Sequence, residues 1–268
     1  MKICGKCGLG SGDFANWCQD CGSPLSIECA NCGTELPTNA AFCFECGTNR
    51  TIVVFPDKKL EVAVREVLKK PEGLLTTADL KTLGALSVTN KGVEDLSGLE
   101  YAVNLTRLRL DGNRISDLSP LASLINLTWI DLYPNRISDL SPLAFLTRVT
   151  HLFLSENRIS DLSPLAFLAD LKELFLGGNR ISDLSPLISL TNLTGLVLNG
   201  NRISDLFPLA SLTNLEKLRL NSNRISDLSP LISLTNLKEL RLSNNPLSEE
   251  STDVHLANLE ARGVGVAL

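Results

Sequence analysis

The sequence has few aromatic residues and no long apolar run. Aromatic residues make up 5% of the 268 positions, whereas hydrophobic residues make up 44%. Leucine is the most frequent of the apolar residues, which indicates a core built by repetition. No run approaches the roughly 20 apolar residues that cross a bilayer, and the N-terminus lacks the apolar region of a secretory signal. We expect a cytoplasmic protein that does not enter a membrane.

Residues suited to acid–base catalysis are also scarce. The two histidines, His151 and His255, lie far apart in the sequence. There is no glycine-rich phosphate loop and no nucleophile elbow. Carboxylates such as Asp111 and Asp131 have no supporting base or metal set nearby in the pattern. We expect a protein that is not an enzyme.

Cysteine is absent from residues 47–268, because all eight cysteines lie near the N-terminus. They form four Cys-x-x-Cys pairs, and ten residues separate the pairs within each half of the segment. The pairs are Cys4 and Cys7, Cys18 and Cys21, Cys29 and Cys32, and Cys43 and Cys46. A glycine follows the second cysteine of every pair and can adopt the positive φ of a tight metal-binding turn. The spacing predicts a duplicated module over residues 1–50.

Four thiolates in a closed tetrahedral shell suit a structural zinc ion, so the eight cysteines predict two structural zinc ions. The segment has so few large apolar residues that we expect folding to require the metal. These residues resemble a double zinc ribbon. Disulfides and iron are the alternatives; a reducing compartment disfavours disulfides, but the sequence does not exclude iron.

Zinc ribbons can contact nucleic acid, which makes a nucleic-acid- or ribosome-associated factor the alternative function. Residues 1–50 contain three basic and five acidic side chains, and the whole chain has a formal net charge of −5. Phosphate binding requires the opposite sign of charge. We therefore favour a structural or protein-docking role for the ribbons, without nucleic acid.

The rest of the chain is repetitive. Asparagine recurs every 22 residues within the pattern Leu-x-x-Leu-x-Leu-x-x-Asn, which is typical of leucine-rich repeats. The recurring asparagines are Asn113, Asn135, Asn157, Asn179, Asn201, Asn223 and Asn245. With a divergent first unit, eight 22-residue units span residues 83–247. The pattern predicts an α/β solenoid, with a parallel β-sheet on the concave face and short 3-10 or helical turns at the Ser-Pro-Leu segments of the convex face.

A solenoid needs a cap at each end of its core. Apolar residues at helical spacing predict a helical N-terminal cap over residues 51–82, with a capping box from Thr76 to Asp79. A C-terminal cap is predicted over residues 248–268, where Ser248 begins a helix and Arg262-Gly263 ends it. Residues 52–268, including the Phe55-Pro56-Asp57 start, resemble bacterial internalins. That resemblance implies protein binding on the concave face.

Aligned repeats place an unusual set of side chains on the outer face of the sheet. The middle strands carry aromatic residues and the end strands carry arginines, a combination found at interface hot spots. The predicted partner site comprises Arg107, Arg109, Trp129, Asp131, Tyr133, His151, Phe153, Phe175, Arg219 and Arg241. We expect the exposed aromatic patch to bind a protein or peptide, with the chain itself a monomer. The alternatives are packing among neighbours, a covering ribbon module, or a module with no fixed ligand.

Arginine and aspartate also recur every 22 residues, as Arg114 to Arg224 and Asp117 to Asp227. Because the columns occur in successive units, they indicate structure rather than a ligand site. We expect ladders of alternating charge along the coil edge, with each exposed pair contributing less than about 1 kcal/mol.

Overall fold

The computed structural model describes residues 2–3, 10–11, 26–29, 32–37, 43, 45–47 and 52–268. Near the N-terminus, β1 (Lys2–Ile3) pairs antiparallel with β2 (Gly10–Ser11), and β3 (Ser26–Glu28) pairs antiparallel with β4 (Glu35–Pro37). The first predicted metal set lies outside the described residues; it comprises Cys4, Cys7, Cys18 and Cys21.

A nine-stranded parallel sheet organises residues 85–267, with the strands in sequence order. The strands are β5 (Ala85–Ser87), β6 (Arg107–Arg109), β7 (Trp129–Asp131), β8 (His151–Phe153), β9 (Glu173–Phe175), β10 (Gly195–Val197), β11 (Lys217–Arg219), β12 (Glu239–Arg241) and β13 (Gly265–Ala267). Equivalent residues of successive repeats lie side by side, for example Leu174 beside Leu196. The predicted parallel solenoid is confirmed.

The alternation of side chains along each strand separates the core from the outer face. The central residue of every strand from β5 to β12 is buried, as Leu174 illustrates at 0% exposure. Its two neighbours in the strand point the other way, because strand side chains alternate. We call two sets of residues together the concave face. They are the outward-pointing residues of β5–β12 and the residue two positions after the end of each of these strands.

The recurring asparagines bond neighbouring coils together. The Nδ2 group of Asn179 donates to the carbonyls of Leu154 and Leu176, both at 3.0 Å, and its Oδ1 accepts the Ile159 N–H at 3.0 Å. The other six asparagines repeat this arrangement. The ladder satisfies backbone groups that would otherwise be buried without partners.

Short turns of 3-10 helix return the chain on the opposite side of each coil. They span Leu99–Tyr101, Ser119–Leu121, Ser141–Leu143, Ser163–Phe167, Ser185–Leu187, Phe207–Ser211 and Ser229–Ser233. All but the first have proline in the first turn, where a missing N–H costs nothing. The predicted Ser-Pro-Leu turns are confirmed.

The aspartate column supports these turns instead of pairing with arginine. Asp183 Oδ1 accepts the N–H of Ser185 at 2.8 Å, and the equivalent aspartates do the same with the residue two positions later. Within residues 52–268, no aspartate of the column forms an ion pair with an arginine of the recurring arginine column. The expected Arg–Asp pairing is therefore wrong, because a backbone N–H lies closer to each carboxylate than a flexible guanidinium does.

Helices cover the N-terminal end of the core. Helix α1 (Lys58–Leu68) begins at Asp57, whose side chain accepts the Lys59 N–H, and α2 (Thr77–Leu80) has the predicted capping box between Thr76 and Asp79. Asp57 also accepts the Glu94 N–H at 2.8 Å, which ties α1 to the first repeat. These backbone donors hold the pKa of Asp57 below its usual value despite partial burial. Both predicted N-terminal helices are confirmed.

The C-terminal end is closed by a turn of π-helix (Ser251–Leu256), then α3 (Ala257–Ala261) and β13. Ser248 Oγ accepts the Ser251 N–H at 3.2 Å, as expected for a residue that begins a helix. Gly263 has a φ of +84° and ends α3 at the predicted position. Among the described residues, no helix is both long and apolar enough to span a bilayer.

Candidate functional site

Four cysteines of the second ribbon converge on one point. The sulfur atoms of Cys29, Cys32, Cys43 and Cys46 all lie within 4.8 Å of one another. Two of the Sγ–Sγ distances, Cys29 to Cys46 and Cys32 to Cys43, are 3.6 Å. A zinc ion bound at about 2.3 Å to four sulfurs in a tetrahedron gives an edge of about 3.8 Å. The 3.6 Å separations are far longer than the about 2.05 Å of a disulfide bond. The cluster fits a metal centre.

Two matching turns bring these sulfurs together. The Gly33 N–H donates to the Cys29 carbonyl at 2.8 Å, and the Gly47 N–H donates to the Cys43 carbonyl at 2.9 Å. Gly33 and Gly47 have φ values of +73° and +69°, which a residue with a Cβ seldom adopts. The predicted glycine turns are confirmed for these two pairs. Gly8 and Gly22 lie outside the described residues.

Among the described residues of the second ribbon, the buried core is very small. Cys29 and Cys43 are buried together with Leu36, which is 0% exposed, whereas Cys32 and Cys46 are exposed. The Thr34 hydroxyl lies 3.1 Å from the Cys32 sulfur, so one exposed ligand has a polar neighbour. With so little apolar burial among the described residues, a bound ion would contribute folding energy rather than catalytic chemistry.

On the concave face, three aromatic rings form a continuous row on β7, β8 and β9. The rings of Trp129 and Phe153 have centroids 5.3 Å apart with planes tilted by 50°, and those of Phe153 and Phe175 are 4.8 Å apart at 80°. Both geometries are favourable for aromatic pairs. The Arg107 guanidinium lies over the indole, 4.4 Å from its centroid. We call Trp129, Phe153 and Phe175 the aromatic row.

The row is less exposed than its sequence suggests. All three side chains are half-buried, because each ring covers part of the next. Tyr133 is 42% exposed, and its hydroxyl points to Glu156 at 3.3 Å rather than to the row. His151 is half-buried, with Nδ1 2.8 Å from the Thr150 hydroxyl. The predicted patch is thus a packed row with Tyr133 and His151 beside it.

Charged residues border the row on its N-terminal side. Arg109 Nε donates to Asp111 at 2.7 Å and lies 3.7 Å from Asp131. Burial raises the pKa of Asp131, with a further contribution from the negative charge of Asp111. A recess of about 540 Å³ lies here, lined by Val67, Ala85, Leu86, Ser87, Arg107, Arg109, Trp129 and Asp131. Because Val67 belongs to α1, the N-terminal cap forms one wall of the recess.

A second group of charges lies beyond the row, on β11 and β12. Glu239 pairs with Arg241 at 2.8 Å and with Arg219 at 3.5 Å. The hydrogen bond from Arg241 holds the pKa of Glu239 below its ordinary value, with smaller contributions from Arg219 and Lys217. The predicted residues Arg219 and Arg241 therefore lie together, but they are separated from the aromatic row by β10.

Two glycines next to the row are packing positions that the sequence alone did not reveal. Gly177 and Gly195 are buried, and neighbouring side chains lie across them. A Cβ at Gly177 would lie 2.7 Å from Asn199 Oδ1, and one at Gly195 would collide with the Glu173 carboxylate. Glu173 consequently lies flat on the concave face. Glycine at outward positions of two neighbouring repeats is the feature of the sequence that indicates this packing.

Comparison with known families agrees with this architecture. The family model described as leucine-rich repeats in two copies matches residues 103–145, 147–189, 191–233 and 213–258. The double zinc ribbon model matches residues 2–47. Protein FraH of Nostoc sp. is 32% identical over 92 residues, which cover 31% of this chain and 32% of that protein. The chain thus spans about a third of the length of that relative.

Solved structures show the same solenoid. An internalin from Listeria monocytogenes is 35% identical, with a TM-score of 0.75 over 83% of this chain and 66% of its own. A second internalin from that organism is 38% identical, with a TM-score of 0.71 over 78% of this chain and 94% of its own. A leucine-rich-repeat protein of Leptospira interrogans is 26% identical, with a TM-score of 0.63 over 71% and 50% of the two chains.

Proposed function

This chain belongs to the leucine-rich-repeat proteins, and on that premise we propose that it is a non-enzymatic adaptor for protein–protein interaction. Its concave face binds a protein or peptide. Its zinc ribbons dock a second partner or the solenoid itself. The solenoid fold is generally used to bind protein partners, and the repeats are similar to those of internalins.

The aromatic row is the observation that carries the proposal. Leucine-rich repeats need apolar residues inside the coil, but the outward positions are free to be polar, as Asn199 and Asn221 illustrate. Trp129, Phe153 and Phe175 instead place three large rings on adjacent strands of the water-facing side. Aromatic and arginine side chains contribute most to binding energy at protein interfaces. A row with Arg107 at its end has this composition.

The domain organisation, the metal content and the location of the protein belong to the same proposal. We assign residues 1–50 to the double ribbon, residues 51–82 and 248–268 to the caps, and residues 83–247 to eight repeats. The ribbon holds two structural zinc ions, one in each half; the match to double zinc ribbons favours zinc over iron. The protein acts in the cytoplasm as a monomer.

A pull-down from an extract of the cells that make the protein tests the proposal. The full chain is compared with Trp129→Ala/Phe153→Ala/Phe175→Ala and with a control, Phe145→Ala/Phe167→Ala. Phe145 and Phe167 are 76% and 70% exposed on the convex side, so the control also removes surface aromatic rings. We expect the control to retain the same protein as the wild type and the row variant to lose at least about nine-tenths of it, since hot-spot truncations cost more than about 1.4 kcal/mol each.

Circular dichroism establishes that each variant is folded before the pull-down is interpreted. Equal retention by all three baits would contradict a role for the aromatic row. Retention of nucleic acid that is lost with added salt would favour the alternative function of the ribbons.

A further inference from the structure

The concave face has a small excess of positive charge although the chain as a whole is acidic. The concave face includes five basic and four acidic side chains, whereas the chain has a formal net charge of −5. Two of the basic groups are exposed and form no ion pair within residues 52–268: Arg107, whose face covers Trp129, and Lys217. The edge N–H groups of Arg107 remain available to an incoming acceptor.

The C-terminal group carries the excess of positive charge. Lys217, Arg219 and Arg241 surround a single carboxylate, Glu239, which is already bound to the two arginines. Opposite charge attracts an anionic ligand to this end of the face and holds it in register. At the other end, Arg109 is occupied by Asp111 and Asp131, so Arg107 is the donor that a ligand can reach.

The centre of the concave face combines a negative charge with apolar side chains. Glu173 lies across Gly195 and forms no ion pair within residues 52–268. It adjoins Phe175 in the same strand, between Arg107 and the C-terminal basic group. A carboxylate of the ligand would be repelled here, whereas apolar side chains would pack on Phe153, Phe175 and Val197. Glu173 can accept N–H groups of the ligand backbone.

Strand spacing gives the length of the ligand. Arg107 lies on β6 and Lys217 on β11, five strand intervals apart in the sheet. At about 4.8 Å per interval the two strands are about 24 Å apart, and an extended chain covers this distance in about seven residues.

Resting on the function proposed above, we infer that the partner presents an extended acidic segment. It lies across the strands, with one carboxylate at Arg107, a second about seven residues away at Lys217, and an apolar stretch without acids over the aromatic row. The face therefore recognises a pattern of two separated acids around an apolar centre, rather than apolar surface alone.

Selection from a displayed library of random peptides about twelve residues long, long enough to reach from Arg107 to Lys217, tests this inference on the full chain. We expect enriched peptides to carry two acidic residues about seven positions apart, with apolar residues between them. Affinity for a synthesised selected peptide should fall about tenfold in Arg107→Gln and again in Lys217→Gln. Arg180→Gln, which removes an exposed arginine from the coil edge, should leave the affinity unchanged.

The outcomes separate the two proposals. The acidic-segment inference is overturned if the selected peptides lack paired acids, or if their affinity is unchanged in both glutamine variants. The adaptor function still stands in that case if the selected peptides fail to bind Trp129→Ala/Phe153→Ala/Phe175→Ala. If no peptide is enriched, or if selected peptides bind that triple variant as well as the wild type, both proposals fail.

Discussion

Removing the metal is expected to unfold residues 1–50 and leave the solenoid folded. Cys29, Cys32, Cys43 and Cys46 surround one point, and the buried core beside them includes only one leucine among the described residues. Structural zinc sites of this kind contribute about 10–16 kcal/mol of apparent binding energy, far more than so small a core supplies. The solenoid contains no cysteine and buries leucines throughout. It therefore serves as an internal control within the same chain.

Metal analysis of the purified chain should find two zinc ions per molecule, and Cys29→Ser/Cys43→Ser should retain one. After treatment with a chelator, proteolysis should cleave within residues 1–50 while the thermal transition of the solenoid stays unchanged. Disulfides in place of bound metal, or a visible iron–thiolate absorbance, would contradict the assignment of zinc. A ribbon that resists the protease without metal would contradict the dependence of its folding on the ion.

Replacing Asn179 with alanine is expected to destabilise the solenoid by about 3–5 kcal/mol. Asn179 is 8% exposed and satisfies two carbonyls and one N–H of neighbouring coils. Each buried backbone group left without a partner costs about 1–3 kcal/mol. Asn192→Ala is the matched control, because Asn192 is exposed and donates one hydrogen bond, to the Ala169 carbonyl at 2.9 Å. Its cost should stay near 1 kcal/mol or below, since a solvated bond is worth little.

Urea denaturation followed by circular dichroism measures both variants. A companion substitution, Asn179→Asp, places a carboxyl group among carbonyl acceptors, which raises its pKa in the folded state. Because a raised folded-state pKa makes stability fall as pH rises, the deficit relative to wild type should be smaller near about pH 4 than near about pH 7. Equal costs for Asn179→Ala and Asn192→Ala would show that the ladder does not hold the coils together.

The period of the sequence was sufficient to predict most of the fold. A 22-residue repeat with leucine at alternate positions permits one stacking in which every leucine is buried, so strand number, register and turn positions follow from it. The caps were also recognisable, because helix termini depend on local residues such as Asp57, Thr76 and Gly263.

The details of the concave face could not be predicted in the same way. The sequence places Trp129, Phe153 and Phe175 on neighbouring strands, but their tilted and edge-on contacts depend on side-chain rotamers that a repeat does not specify. The position of Arg107 over the indole and of Glu173 across Gly195 likewise depends on the space left by neighbours. The predicted pairing of the aspartate column was wrong for a related reason. Opposite charge suggested arginine partners, whereas the donors nearest to each carboxylate are backbone N–H groups.

Site-specific photo-crosslinking tests the binding role of the concave face most directly. The photoreactive residue p-benzoylphenylalanine replaces Phe153 in the aromatic row, or Phe145 on the convex side as the control. Irradiation of extracts from the producing cells should give a discrete polypeptide adduct at Phe153 that excess wild-type chain suppresses and Trp129→Ala/Phe153→Ala/Phe175→Ala does not. Phe145 should give none. Adducts from both positions in equal yield, or none from Phe153, would contradict a partner site on the aromatic row.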